Sequence, residues 1–202
     1  MYKRQLLTCL LLCAYACGKR PYPKSLIVAD SLASARPDSA IALLNTLKES
    51  MKAESEATRM YYRLLCIKAN DKAYIRHTSD SLILPVLHYY TEKKDEHHLP
   101  EAYYYAGRVY RDLEDAPLAL DYFQKAIDAL PDNKGYRLKS KIYSQMGTLF
   151  LYQKTYDEAL KILKEARKCN IALKDSASMV FNLRDIANGY RCLDQNDSSL
   201  YY

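Results

Sequence analysis

A pattern of large, small and aromatic residues recurs every forty positions through the second half of this chain. It starts with Tyr103, Ala106, Gly107 and Tyr110, continues through Ala119, Leu120, Phe123 and Ala126, and closes at Pro131. Forty residues on stand Tyr143, Met146, Gly147 and Phe150, then Ala159, Leu160, Leu163 and Ala166. A further forty gives Leu183, Ile186, Ala187 and Tyr190, then Ser199 and Leu200. Self-similarity at such a period marks an array of supersecondary units. No unit in such an array buries its apolar face alone, so each needs its neighbour.

The spacing inside each unit says what the unit is. Residues 103, 106, 107 and 110 share one helix face, as do 119, 120, 123 and 126. Between them lie short polar breaks: Glu114 to Pro117, Lys154 to Asp157, and Gln195 to Ser198. Each break offers an Asp or Thr to cap the following helix, and Pro117 suits a first turn. Each unit therefore reads as a helix hairpin. Gly107, Gly147 and Ala187 are expected to be small so that the second helix can approach, with Ala119, Ala159 and Ser199 opposite. Upstream, 54–72 and 79–93 read as another pair, and Lys24 to Ala35 with Pro37 to Glu49 as a first. Asp38, Asp80 and Asp197, each followed by Ser, are placed to open second helices. Pro85 predicts a late start or a kink in its helix.

The run Tyr103-x2-Ala106-Gly107-x2-Tyr110, then Ala119-x3-Phe123, then Pro131 resembles the tetratricopeptide repeat. Tyr103 stands for the usual Trp and Ala106 for Leu, and the period is longer than that family's 34 residues. The resemblance implies an all-α, right-handed α-solenoid of antiparallel hairpins. The expected hairpins are about 24–50, 54–94, 100–131, 138–170 and 177–202, the last truncated, forming one domain over 24–202. The added residues are placed in longer helix ends and in linkers such as Asp132 to Gly135. The truncated last hairpin lacks a polar capping helix, which predicts an N-terminal fragment of a longer protein.

The first residues read differently. Lys3 and Arg4 precede an apolar run, Leu6 to Ala16, too short to span a bilayer and suited to a signal peptide over 1–16. Ala14-Tyr15-Ala16-Cys17 resembles a bacterial lipobox, which implies lipid on Cys17 and a tether over 17–23. The alternative is ordinary cleavage after Ala16 with Cys17 unmodified. Either way the expectation is export to the cell envelope. Without Lys3 and Arg4, 28 of the 30 basic residues face 24 acids, a mild and interspersed excess that argues against nucleic acid. Cys66, Cys169 and Cys192 form no disulfide framework and read as small buried residues.

Catalytic patterns are missing: there is no glycine-rich phosphate loop and no nucleophile elbow. His97 and His98, beside Asp95 and Glu96, read as a solvated loop rather than a metal cluster. No cofactor is expected. The tetratricopeptide resemblance implies a groove lined by the first helix of each pair. By spacing its residues are Tyr104, Arg108 and Arg111, then Lys141, Ser144, Thr148 and Leu151, then Arg184, Asn188 and Arg191. That face is either simply solvated or holds an acidic peptide through forked arginine contacts. Three functions follow: a lipid-anchored scaffold binding a partner protein, the sensor half of a longer signalling protein, or a glycan-capturing surface lipoprotein.

Overall fold

The computed structural model describes residues 22–131 and 135–202, and the predicted signal peptide, Cys17 and most of the tether lie outside them. The fold is all-α, of the α-solenoid class, with no strand among the described residues. These residues fall into two compact units that divide between Ala73 and Tyr74. The division runs through the expected hairpin 54–94, so its two helices belong to different units.

The first unit holds α1 (Lys24–Ala35), α2 (Pro37–Leu47), a 3-10 turn (Ser50–Ala53) and α3 (Glu56–Lys72). Pro37 starts α2, where its missing N–H costs nothing. Ser55 caps α3 by accepting from the Thr58 N–H. Leu26, Ala29, Ala33, Ala40, Leu44, Tyr61, Leu65 and Ala69 form the core. The four alanines let the helices lie close, and Tyr61 stacks on Tyr22 with ring centroids 4.1 Å apart. Asp30 then receives the Tyr61 hydroxyl at 3.1 Å and the Lys68 ammonium at 2.7 Å, fixing α3 against α1.

The second unit holds α4 (Ile83–Glu92), α5 (Leu99–Asp112), α6 (Ala116–Asp128), α7 (Tyr136–Tyr152), α8 (Tyr156–Leu173), α9 (Ser176–Cys192) and α10 (Asn196–Tyr201). Pro85 acts as expected, since α4 starts only at Ile83. Helices α5 and α6, α7 and α8, and α9 and α10 pair as hairpins, and α4 packs on α5. Gly107 and Gly147 occupy equivalent places. A Cβ at Gly107 would lie 2.5 Å from the Phe123 ring, and one at Gly147 2.5 Å from Leu163. The partners opposite the glycines are thus Phe123 and Leu163, one turn beyond the expected Ala119 and Ala159. In the third hairpin the expected opposition holds, since Ser199 donates to the Ala187 carbonyl at 3.0 Å.

The turns repeat on half the period. Tyr74, Lys94, Glu114, Lys154, Lys174 and Asp194 all take left-handed backbone with φ between 50° and 66°. They stand twenty residues apart, with one step of forty between Glu114 and Lys154. The residue after five of these returns its N–H to a carbonyl five residues back, as Asp95 does to Tyr90, Asp115 to Tyr110 and Thr155 to Phe150. This Schellman closure satisfies the last carbonyls of one helix and hands the chain to the next. Glycine normally takes this place, and a side chain there costs about 1 kcal/mol. Asp95, Asp115 and Asp175 each follow such a residue and accept backbone N–H groups from the next helix. Thr155 holds the same place but donates to Phe150 instead. Asp80 does not cap, because the Tyr110 hydroxyl takes its carboxylate at 2.9 Å, and Asp38 and Asp197 lie inside their helices.

Replacing Gly107 by Ala should destabilise the protein despite a gain in helix propensity of about 1 kcal/mol. Phe123 is fully buried and cannot swing away from the added methyl, and overpacking of this kind costs about 1–3 kcal/mol. A lower urea midpoint with unchanged slope is the expected reading. A higher midpoint would refute the close-approach account of this residue.

Candidate interaction surface

The first helices of consecutive hairpins, α5 and α7, are joined by polar contacts along one face. Arg108 and Arg111 both donate to the Gln145 side-chain oxygen, Arg111 at 2.7 Å. Arg111 also turns back on Asp112, with Nη2 2.6 Å from Oδ1. The other oxygen of Asp112 receives the His77 N–H at 3.1 Å and His77 Nδ1 at 2.8 Å. A carboxylate only accepts, so the proton on that ring sits on Nδ1. Arg76 completes the clamp, with Nε donating to the Asp112 carbonyl at 2.7 Å and Nη2 to Glu114 at 2.8 Å. The chain from Arg76 to Asp80 is therefore strapped across the α5–α6 turn.

Burial alone would push the Asp112 carboxyl up, yet it is held well below the usual carboxylate range. The hydrogen bonds from His77 and Arg111 favour the charged form and outweigh desolvation. Tyr110 moves the other way. Burial, with its hydrogen bond to the Asp80 carboxylate, pushes its hydroxyl up to about 12.

Beside this clamp lies a cleft of about 400 Å³ lined by Arg76, Arg111, Asp112, Glu114, Ala116, Leu149 and Tyr152. Leu149 gives it an apolar floor. Tyr152 forms a wall and is 80% exposed, an unusual position for a ring with nothing packed over it. The cleft offers an aromatic surface next to two arginines whose charges are already balanced by Asp112 and Glu114.

The structure redistributes the ten predicted groove residues. Tyr104 is only 3% exposed and packs against Tyr105 and Phe123, so it presents nothing to a ligand. The ring of Tyr104 turns onto α6 and Tyr105 is buried beside it, leaving Tyr103 half-buried. Leu151 packs with Leu160, Leu163 and Ile186 in the interior between hairpins. Arg184 bonds its neighbour Asp185 at 2.7 Å and lies over the Phe181 ring, and Arg191 bonds Asn188 at 2.6 Å. Thr148 donates to the Ser144 carbonyl of its own helix at 2.9 Å. Lys141 is exposed. The structure thus joins Arg108 and Arg111 through Gln145, and leaves the α9 residues paired locally. Arg76, His77, Gln145 and Tyr152 were missed. The first two sit in a non-periodic segment, so no repeat register pointed to them.

His98 donates Nδ1–H to Asp95 at 2.9 Å and stacks on Tyr90, which accounts for it as a structural residue. Among the described residues no three His, Cys, Asp or Glu side chains gather as metal ligands, and no helix is long and apolar enough to cross a membrane. Cys169 is buried as expected, but Cys192 is exposed.

The tetratricopeptide repeat family profile matches residues 100–133, which are α5, its turn and α6. No curated protein matches the chain. A Podosopora anserina kinesin light chain structure with nearly identical TPR-like repeats aligns over 88% of this chain and 89% of its own, at TM-score 0.64 and 11% identity. Two crystal structures of MamA align over 87% and 89% of this chain and 90% and 88% of theirs, at TM-scores 0.59 and 0.58 and identities of 16% and 15%. These likenesses concern the fold. The matched repeat covers one hairpin of that fold.

The Asp112 clamp makes a pH prediction. A carboxyl held low in the folded state adds stability above its unfolded value of about 3.9, and that stability is lost as pH falls through the folded value. Asp112→Asn should cost about 2–3 kcal/mol at pH 7 by urea unfolding. The gap from the parent should narrow below about pH 4. A gap that stays constant down to pH 3 would rule out the charged clamp.

Proposed function

We propose, with α5 and α6 as a tetratricopeptide repeat, that this chain is a non-catalytic docking scaffold for a partner protein. The observation that supports this most directly is the cleft between successive first helices. It has an apolar floor at Leu149, an exposed ring at Tyr152 and arginines at its rim. Aromatic and arginine side chains around an apolar pocket are what protein interfaces concentrate.

The scaffold is proposed to work at the bacterial cell envelope. The support is the leader-like sequence before residue 17 and the small residues preceding Cys17. A lipid on Cys17 would hold the repeats at a membrane surface. Leu200 is 86% exposed, while Leu160, forty residues earlier, is buried against Ile186 and Tyr190 of the following hairpin. That contrast supports the reading that a further hairpin covers the last one.

Two measurements test these readings. A photo-crosslinking residue placed at Tyr152 in the native host should give one discrete adduct, lost when Arg76→Glu is added. Equal labelling from a crosslinker at exposed Lys93 would remove the cleft from consideration. Intact mass of the membrane-extracted protein should show lipid on Cys17, absent in Cys17→Ala. An unmodified thiol there would sink the anchor.

A further inference from the structure

A second cleft of about 400 Å³ lies between α8 and the C-terminal end of α9 with the turn that follows it. Leu160, Tyr190 and Leu193 form its floor, and they belong to the apolar cluster that joins α8 to α9. Lys161, Lys164 and Lys168 stand along its rim, three and seven residues apart on one face of α8. Lys164 lies over the Tyr190 ring, 5.2 Å from its centroid. Tyr190 stacks in turn on Tyr202, over which Arg167 sits at 5.8 Å.

The lysine rim is not a demand of the fold. Forty residues earlier, on α6, the same three places hold Asp121, Gln124 and Asp128. There the polar groups satisfy one another: Lys125 pairs with Asp121 at 2.6 Å and Gln124 bonds Asp128 at 2.8 Å. On α8 only Lys168 is paired, with Glu165 at 2.6 Å. Among the described residues Lys161 and Lys164 have no ion-pair partner, and Asp157 is the one other acid that lines the cleft. The arginines of the first-helix face are by contrast already engaged by Asp112, Glu114, Gln145 and Asp185. Uncompensated positive charge therefore collects over an aromatic floor at α8.

We infer that this α8–α9 cleft is a docking site for an acidic segment of a partner protein that carries an aromatic or aliphatic side chain. The segment's carboxylates meet Lys161 and Lys164, and its apolar side chain enters between Leu160, Tyr190 and Leu193. The inference rests on the scaffold reading and adds to it a second surface with its own chemistry.

The test uses fluorescence anisotropy of the whole chain with a fluorescein-labelled peptide of alternating glutamate and serine around one central phenylalanine. Binding is expected, weakening as salt rises. It should also weaken when glutamine replaces glutamate in the peptide or alanine replaces phenylalanine. Lys161→Glu with Lys164→Glu should reduce affinity about tenfold or more. The milder pair Lys161→Gln and Lys164→Gln should show an intermediate loss, with thermal unfolding checking that both variants fold. Arg76→Glu with Tyr152→Ala should leave peptide affinity unchanged. Unaltered binding in the lysine variants, or loss confined to the Arg76 and Tyr152 variant, overturns the inference. So does capture by phosphatidylglycerol vesicles, lost in the lysine variants, without peptide binding. A persistent Tyr152 adduct in the lysine variants shows that the scaffold reading survives any such failure.

Discussion

Each of the first two hairpins of the second unit closes on one kind of contact: a bulky side chain of the second helix lying on bare backbone of the first. Phe123 rests on Gly107 and Leu163 on Gly147, each where a Cβ would intrude at 2.5 Å. The contact brings two helix axes close enough to exclude water between them, and it fixes their rotation. Everything that stacks afterwards inherits that geometry. A glycine at this place sacrifices helix propensity, about 1 kcal/mol against alanine, which the buried ring or leucine more than offsets. Between hairpins the same device recurs with a new pairing, since Gly189 of α9 faces Leu160 of α8. Leu160 thereby serves the joint between hairpins, while Leu163, one turn on, serves the hairpin itself.

The polar surface is arranged so that most of its charge is spent internally. Asp112 is the clearest case, with side-chain exposure of only 10% and four donated hydrogen bonds from Arg111 and His77. An ion so placed is worth something only while its partners remain, because desolvation opposes it. The clamp therefore couples the segment at Arg76 and His77 to the α5–α6 turn, and it holds Arg111 in the orientation that reaches Gln145. Surface pairs such as Arg76 with Glu114 or Lys125 with Asp121 add little stability by comparison.

Much of the fold was legible because packing imposes a period on sequence. Gly107 and Gly147, and the aromatic or aliphatic residues sixteen positions after each, had to recur. The turns were less legible. Their left-handed residues are Tyr, Lys, Glu and Asp rather than glycine, so no residue type announced the twenty-residue step. Side-chain direction on the first helices was harder still. Tyr104 looked free by register, but its ring turns onto Phe123 of the partner helix and is buried there. Leu151 was misjudged because its cover includes Ile186 of the next hairpin. The strap from Arg76 to Asp80 follows no period and was invisible to any argument from register.

Register also separates what the fold demands from what it leaves free. Positions that stay apolar or small at forty-residue steps, such as Ala119 and Ala159, are bound by packing. Positions that change character while their backbone environment stays the same are under no such demand. The three places on α6 that hold Asp121, Gln124 and Asp128 become Lys161, Lys164 and Lys168 on α8. Asp121, Gln124, Asp128, Lys161 and Lys168 are exposed and Lys164 is only half-buried, so the interior does not dictate their type. A charge set reversed from one repeat to the next therefore reports on something outside the solenoid. A repeat array offers this internal control where a single-copy domain offers none, and it places recognition on the surface residues that break the pattern.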